Sequence, residues 1–164
     1  MLILLLNTAQ AQESVPNTHS MRNGFRMGYA YIANEPTLAS PNLFLVGYEN
    51  IHTFSSQGPL SILVMSNVSI AGINQGEFIP TGFLALGYQF QERLQLGVGP
   101  IVGLQNAMSD EASWQSNMLL AVGYNLDMDG FHLPLHVGFV PDVDDRWRVY
   151  ATTGFNWSVN LKNK

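Results

Sequence analysis

Eight stretches of this sequence alternate between apolar residues and small or polar ones, and this alternation constrains the fold more than any other feature. Successive side chains of a β-strand point to opposite faces, so the alternation predicts strands that separate two different environments. It is clearest in residues 131–140, whose sequence is FHLPLHVGFV. The predicted strands lie near residues 24–34, 43–54, 60–71, 79–90, 94–105, 114–126, 131–140 and 147–158.

The connections between the predicted strands alternate in length. Those after the second, fourth and sixth strands are short, at Ser55 to Pro59, 91–93 and Asp127 to Gly130, whereas the others are mostly longer and more polar. Asp129-Gly130 predicts a tight hairpin with a type I′ turn. One rim of short turns and one of longer loops is typical of outer-membrane barrels. The sequence therefore predicts an all-β fold, an eight-stranded antiparallel up-and-down transmembrane β-barrel over residues 24–158.

The placement of charges predicts which face of the strands meets lipid. Only 12% of the residues are charged, and within the predicted strands the charges are Arg26, Glu49 and Arg148. A barrel whose outer wall faced water would carry many Lys and Glu residues on that wall. We therefore expect the apolar side chains to face lipid and the mixed set to fill a narrow lumen. The alternative is a periplasmic or secreted barrel that carries an apolar ligand inside.

The two ends of the chain are interpreted separately from the barrel. Residues 1–11 are typical of the second half of a secretory signal peptide, because an apolar patch is followed by the small residues of Ala9-Gln10-Ala11. The mature protein is expected to begin near Gln12, with a polar N-terminal leader at 12–23 and a polar C-terminal tail at 159–164. The sequence contains no run of 18 apolar residues of the kind that a transmembrane helix requires.

The closing strand, Trp147 to Trp157, adds its Gly154-Phe155-Asn156-Trp157 ending to the strand count and the loop asymmetry. Together these features resemble the small eight-stranded outer-membrane β-barrels, the superfamily of the OmpA transmembrane domain. The resemblance implies the outer membrane of a Gram-negative bacterium as the location and outer-membrane lipids as neighbours. It also implies assembly by the outer-membrane insertion machinery, which recognises an aromatic-ended last strand. The chain departs from this pattern because Ser158 to Lys164 follow the terminal aromatic residue.

Polar residues on the mixed face predict a structural cluster inside the lumen. Arg26 and Glu49 are expected to be diagonal neighbours that form an ion pair, because an isolated charge in a narrow lumen is costly. His132 is expected to reach Asn125 and Asn156, and it lies about 13 Å from His136, too far for the two to share a metal ion. The predicted cluster comprises Arg26, Glu49, Asn125, His132, His136, Arg148 and Asn156.

Motifs for catalysis or cofactor binding are not found in the sequence. No G-x-S-x-G elbow occurs in the sequence. Glu49 and His52 lie near Ser55 and Ser56, but an odd and an even position on one strand point to opposite faces, so these two side chains are not expected to meet. The acidic segment from Pro141 to Arg146 does not follow the calcium-binding loop pattern. We therefore expect no catalytic residue, no cofactor and no bound metal.

The function predicted from the sequence is that of a non-enzymatic outer-membrane barrel without an open pore. It would serve a structural, adhesion or interaction role through its outer loops. The alternative is a small barrel enzyme or lipid-binding barrel that acts on membrane lipids. A net charge of −5 argues against nucleic acid as a partner. The outer loops also predict a basic extracellular or protein partner, because they carry Glu35, Glu77, Asp110, Glu111, Asp142, Asp144 and Asp145 against Arg146 alone.

Overall fold

The structure, a computed structural model, describes residues 18–36, 38–55, 58–105, 112–141 and 145–159. Eight strands form a closed barrel in which each strand pairs with the next and β8 pairs antiparallel with β1. This confirms the predicted all-β, eight-stranded antiparallel barrel. The strands are β1 Thr18–Ile32, β2 Asn42–Ser55, β3 Leu60–Ala71, β4 Ile79–Phe90, β5 Leu94–Gln105, β6 Ser113–Met128, β7 Phe131–Val140 and β8 Arg148–Val159.

The largest difference from the predicted boundaries is at the start of β1. This strand begins at Thr18 rather than near residue 24, so residues 18–23 of the predicted polar leader are strand. Their backbone pairs with β2 as far as the Thr18–Ser55 pair, because backbone hydrogen bonds do not require apolar side chains. The predicted signal peptide at 1–11, the start near Gln12 and the tail from residue 160 onward lie outside the described residues.

Two further charges lie within strands as a consequence of the longer boundaries. Arg22 belongs to β1, and Asp127 belongs to β6, which extends to Met128. In the β6–β7 turn only Gly130, with φ 88°, has a positive φ, so the predicted type I′ turn is not formed. Among the described residues, no helix has the length and apolar character needed to cross a bilayer.

The alternating apolar residues face outward. Even-numbered side chains point outward on β2 to β6, and odd-numbered ones point outward on β1, β7 and β8. This outer wall includes Phe25, Tyr29, Leu86, Tyr88, Leu120, Val122 and Val137, each about half exposed. A soluble monomer does not expose so continuous an apolar surface, whereas a lipid-facing wall requires one. The predicted apolar-out arrangement is therefore present, and the alternative of an apolar set lining an internal ligand cavity is wrong.

The lumen is more apolar than the sequence indicated, because β2, β3 and β4 are apolar on both faces. This double-sided character is the reason why these strands alternate less clearly than β5, β7 and β8. Toward the long loops the interior contains a packed cluster of Ala30, Leu43, Leu45, Ala71 and Ile79. Two further clusters are formed by Ile51, Leu63, Met65 and Ala85, and by Ile101, Leu119 and Val140.

Candidate functional site

A buried ion pair lies at mid-height in the lumen, between Arg26 of β1 and Glu49 of β2. In the β1–β2 ladder Gly24 is opposite Glu49 and Arg26 is opposite Gly47, so the two charged residues are diagonal neighbours. Arg26 NH2 lies 2.6 Å from Glu49 Oε1 and 2.5 Å from Oε2. Both side chains are almost completely buried, at 3% and 1% exposure. Each charge therefore depends mainly on the other, since neither is exposed to bulk solvent.

Further donors complete the surroundings of this ion pair. Asn156 Nδ2 donates to Glu49 Oε1 over 3.1 Å, and Arg26 NH1 donates to Thr152 Oγ1 over 3.1 Å. The His136 ring lies beside the pair, with Nδ1 3.8 Å from Glu49 Oε2. The carboxylate of Glu49 on β2 is therefore contacted by residues from β1, β7 and β8. These contacts connect the first strand of the barrel with the last.

A chain of hydrogen bonds continues from His136 toward the short-turn end of the lumen. His136 Nε2 donates to Gln95 Oε1 over 2.6 Å, and Gln95 Nε2 donates to Gln89 Oε1 over 2.9 Å. Arg22 NH2 donates to the same Gln89 oxygen over 2.7 Å. Arg22, Gln89 and Gln95 were not in the predicted cluster. Gln89 and Gln95 could have been predicted, because their positions in the alternating pattern place them on the lumen face. Arg22 could not, because it lies in the part of β1 that the sequence analysis left outside the strand.

A small cavity of about 50 Å³ adjoins the ion pair. One side of this cavity is polar, with Arg26, Glu49 and His136, and the opposite side is apolar, with Met65 and Phe83. The volume is enough for a few water molecules but not for a continuous aqueous channel. Two buried atoms near the pair, Arg26 Nε and Asn156 Oδ1, have no hydrogen-bond partner among the described residues. Arg26 lines the cavity, so its Nε is a suitable partner for water in this space.

The other residues of the predicted cluster lie away from this centre. His132 is at the short-turn rim, where its ring bonds to Asp127 Oδ1 over 2.7 Å and lies 3.4 Å from Ser158 Oγ. Asn156 is directly opposite His132 in the β7–β8 ladder, which agrees with the expectation that the two are neighbours. The hydrogen bonds of the ring are nevertheless to Ser158 and to Asp127, which was placed in a turn and is opposite His132 in the β6–β7 ladder. Asn125 is buried, with no partner for its Nδ2 among the described residues.

Arg148 occupies the opposite end of the lumen, near the long loops. It is buried at 6% exposure, and its Nε has no hydrogen-bond partner among the described residues. The structure therefore distributes the predicted residues over a central group of Arg26, Glu49, His136 and Asn156, a short-turn rim with His132, and a long-loop end with Arg148.

The described residues do not form a serine-hydrolase site on the barrel wall. Glu49 points into the lumen, whereas His52 points outward, as their parity predicted. Ser55 Oγ lies 3.0 Å from Ser61 Oγ, and Ser56 lies outside the described residues. In this part of the chain no group of three His, Cys, Asp or Glu side chains is placed to hold a metal ion.

The absence of a side chain at Gly123 makes room for the His136 ring. A Cβ added at Gly123 would lie 1.9 Å from His136 Cδ2. Gly123→Ala is expected to displace the ring, break its bond to Gln95 and reduce the free energy of unfolding by about 1–3 kcal/mol. Urea titration of the folded barrel in detergent measures this cost.

The matched control for this prediction is Gly103→Ala. A Cβ at Gly103, which also points into the lumen, would meet Thr81 Oγ1 at an ordinary 3.4 Å. Its expected cost is below about 1 kcal/mol. Equal costs for the two substitutions would contradict the prediction that Gly123 accommodates the His136 ring.

No family model and no curated protein matches this chain. Among solved structures it is similar to the backbone structure of the Yersinia pestis outer membrane protein Ail in a phospholipid bilayer nanodisc, with 12% identity, a TM-score of 0.49, and coverage of 84% of this chain and 99% of Ail. It is also similar to the crystal structure of Ail in complex with the heparin analogue sucrose octasulfate, with 8% identity, a TM-score of 0.47, and coverage of 87% and 99%. A de novo designed transmembrane β-barrel has 9% identity, a TM-score of 0.44, and coverage of 85% and 95%. Identities at this level concern the fold alone.

Proposed function

We propose that this protein is a closed, non-channel β-barrel of the bacterial outer membrane that presents its long loops for a structural, adhesion or interaction role. The observation that carries the proposal is the packed lumen. The Arg26–Glu49 pair with His136 occupies the mid-height of the interior, and apolar clusters fill the space around and above it. An eight-stranded barrel filled in this way leaves no continuous path for solutes.

The aromatic residues of the outer wall support a transmembrane position. Toward the short-turn end, Trp157 of β8 lies 5.7 Å from Phe155 between ring centroids. Toward the long loops, Trp147 lies 5.3 Å from Tyr31 and 6.4 Å from Phe139. Amphipathic rings in two groups along the barrel are typical of the two membrane–water interfaces.

Three of the long loops, those after β1, β3 and β7, are joined to one another at their bases. Gln75 Nε2, in the short 3-10 helix Ile73–Gln75, donates to Ser40 O over 2.9 Å, and its Oε1 accepts from Ser40 N over 3.1 Å. Asn34 Nδ2 donates to Asp145 O over 3.0 Å, which joins the first and last long loops. A rim with fixed loop bases is suited to presenting a binding surface rather than to opening a passage.

Part of the predicted acidic surface is neutralised within the protein. Glu35 is close to Arg146, with 3.7 Å between Oε2 and NH1, so these two loop charges partly compensate each other. Asp110, Glu111, Asp142 and Asp144 lie outside the described residues. A basic partner for the loops stays part of the proposal.

The proposal predicts that the barrel does not conduct ions. Purified protein reconstituted in a planar bilayer is expected to give no stable channel openings, because side chains fill the lumen at mid-height. An open-porin preparation provides the positive control. Stable single-channel steps from the folded protein would contradict the non-channel function.

Cells with and without the gene distinguish a surface-binding role from lipid chemistry. Attachment to surfaces that carry basic protein is expected to decrease without the gene, while the acyl composition of the outer-membrane lipids stays the same. A gene-dependent change in acyl composition would instead support a lipid-modifying enzyme.

A further inference from the structure

Two histidines that take no part in the lumen network meet on the outer wall, at the short-turn end of β1 and β2. His19 is opposite Phe54 in the ladder and His52 is opposite Met21, so the histidines are diagonal neighbours on the same face. His19 Nε2 lies 2.9 Å from His52 Nδ1. Their ring planes differ by 17°, with centroids 5.1 Å apart. The two imidazoles therefore meet edge to edge in nearly one plane, nitrogen against nitrogen.

Polar side chains also lie next to this pair, in contrast to most of the outer wall. Between the histidines and the aromatic group of Phe25 and Tyr48, Asn50 Nδ2 donates to Asn23 Oδ1 over 2.5 Å. Uncompensated amide and imidazole groups are costly in hydrocarbon, so this end of the β1–β2 hairpin belongs in the headgroup region or in water. Dissolved ions can therefore reach the histidine nitrogens.

We propose that His19 and His52 form a binding site for a divalent transition-metal ion of the Cu²⁺ or Ni²⁺ type. Imidazole nitrogen is a common ligand for these ions, with bonds of about 2.0–2.1 Å. Two such bonds at a right angle separate the nitrogens by about 2.9 Å, as in adjacent positions of tetragonal or octahedral coordination. The two hydrogen-bonded nitrogens already lie 2.9 Å apart, so little movement is needed to reach this separation. The affinity of nitrogen ligands for divalent first-row ions rises up to Cu²⁺ and falls again at Zn²⁺, which favours Cu²⁺ over Zn²⁺.

Phe54 holds one ligand of the site in position. Its ring stacks on His19 with centroids 4.6 Å apart and an interplanar angle of 4°. Only a swing within the common plane of the imidazoles is then needed to direct both nitrogen lone pairs at one ion. Because the described residues offer no third His, Cys, Asp or Glu at this point, water completes the coordination. Each neutral imidazole offers one unprotonated nitrogen, so the proton that lies between the two nitrogens moves to the other nitrogen of its own ring when the ion binds.

The test uses untagged protein, folded in detergent and titrated with Cu²⁺ or Ni²⁺. Calorimetry with Ni²⁺ is expected to give one site per barrel, and electron paramagnetic resonance with Cu²⁺ is expected to show two coordinated imidazoles. His19→Gln and His52→Gln are each expected to weaken binding about tenfold or more and to leave one imidazole, because each removes one of two protein ligands. Heat-modifiable gel migration verifies that every variant is folded.

The matched control is His132→Gln, which removes an imidazole at the same rim that bonds to Asp127 instead. This variant is expected to bind Cu²⁺ and Ni²⁺ with the same affinity as the unsubstituted protein. Binding that survives in the His19→Gln, His52→Gln double variant, or that is lost in His132→Gln, would overturn the proposed site. So would a Cu²⁺ spectrum with fewer than two imidazoles in the unsubstituted protein.

Discussion

Replacing Glu49 by Gln is expected to reduce the free energy of unfolding by about 3–5 kcal/mol, the usual cost of removing one partner of a buried ion pair. Gln has nearly the same shape and retains an oxygen for the donor Asn156 Nδ2. The change therefore removes mainly the negative charge, and the guanidinium of Arg26 stays buried at 3% exposure. Urea titration of the barrel in detergent, with tryptophan fluorescence as the signal, measures the loss.

The double variant Arg26→Met, Glu49→Gln distinguishes the cost of an unpaired charge from the cost of altered packing. It is expected to cost less than Glu49→Gln alone, because no unpaired charge remains in the lumen. Glu92→Gln, in the exposed β4–β5 turn, is the control and is expected to change stability by less than about 0.5 kcal/mol. If the stability costs of Arg26→Met and Glu49→Gln simply add in the double variant, the two residues do not interact.

The sequence predicts the barrel and its two faces because both depend on local patterns. Period-two alternation is clean in β5, β7 and β8, where lipid contacts one face and small or polar residues fill the other. The Arg26–Glu49 pair was also predictable, since a charge inside a narrow lumen requires a partner. The alternation is weaker in β2, β3 and β4 because interior residues such as Leu63 and Met65 are as apolar as the wall.

The parts that the sequence did not predict depend on register and strand length. The polar start of β1 resembles a leader, although its backbone is fully paired, and Arg22 therefore seemed to lie outside the barrel. His132 has Asp127 as its partner because β6 continues to Met128. His19 and His52 are neighbours because of the register between β1 and β2 and because the pairing continues to the start of β1. No local sequence pattern determines this register or the length of the pairing.

Leu120→Lys is the sharpest test of the lipid-facing wall. Leu120 lies in the middle of β6 and points outward with 48% exposure. A lysine there must lose its hydration or bend toward the headgroups, so folding into vesicles is expected to become less favourable by about 2–4 kcal/mol. Met128→Lys, on the same face of the same strand but at the short-turn rim, is expected to cost about 0–1 kcal/mol.

Gln95, which points into the lumen, is unsuitable as a control for this comparison. It is 1% exposed and bonds to both Gln89 and His136. A lysine at this position would add a cation to the part of the lumen that already contains Arg22 and Arg26. A large cost at Gln95 would therefore reflect burial and repulsion rather than contact with lipid.

Thiol labelling tests the same wall without adding a charge. The sequence contains no cysteine, so Leu120→Cys and Met128→Cys each introduce a single thiol. In vesicles, a lipid-soluble maleimide is expected to label both positions, whereas a water-soluble maleimide labels only position 128. Because hydrocarbon excludes the charged reagent, its access to position 120 would mean that water reaches the middle of the wall. Such labelling, together with equal costs for the two lysine variants, would contradict a transmembrane position of β6.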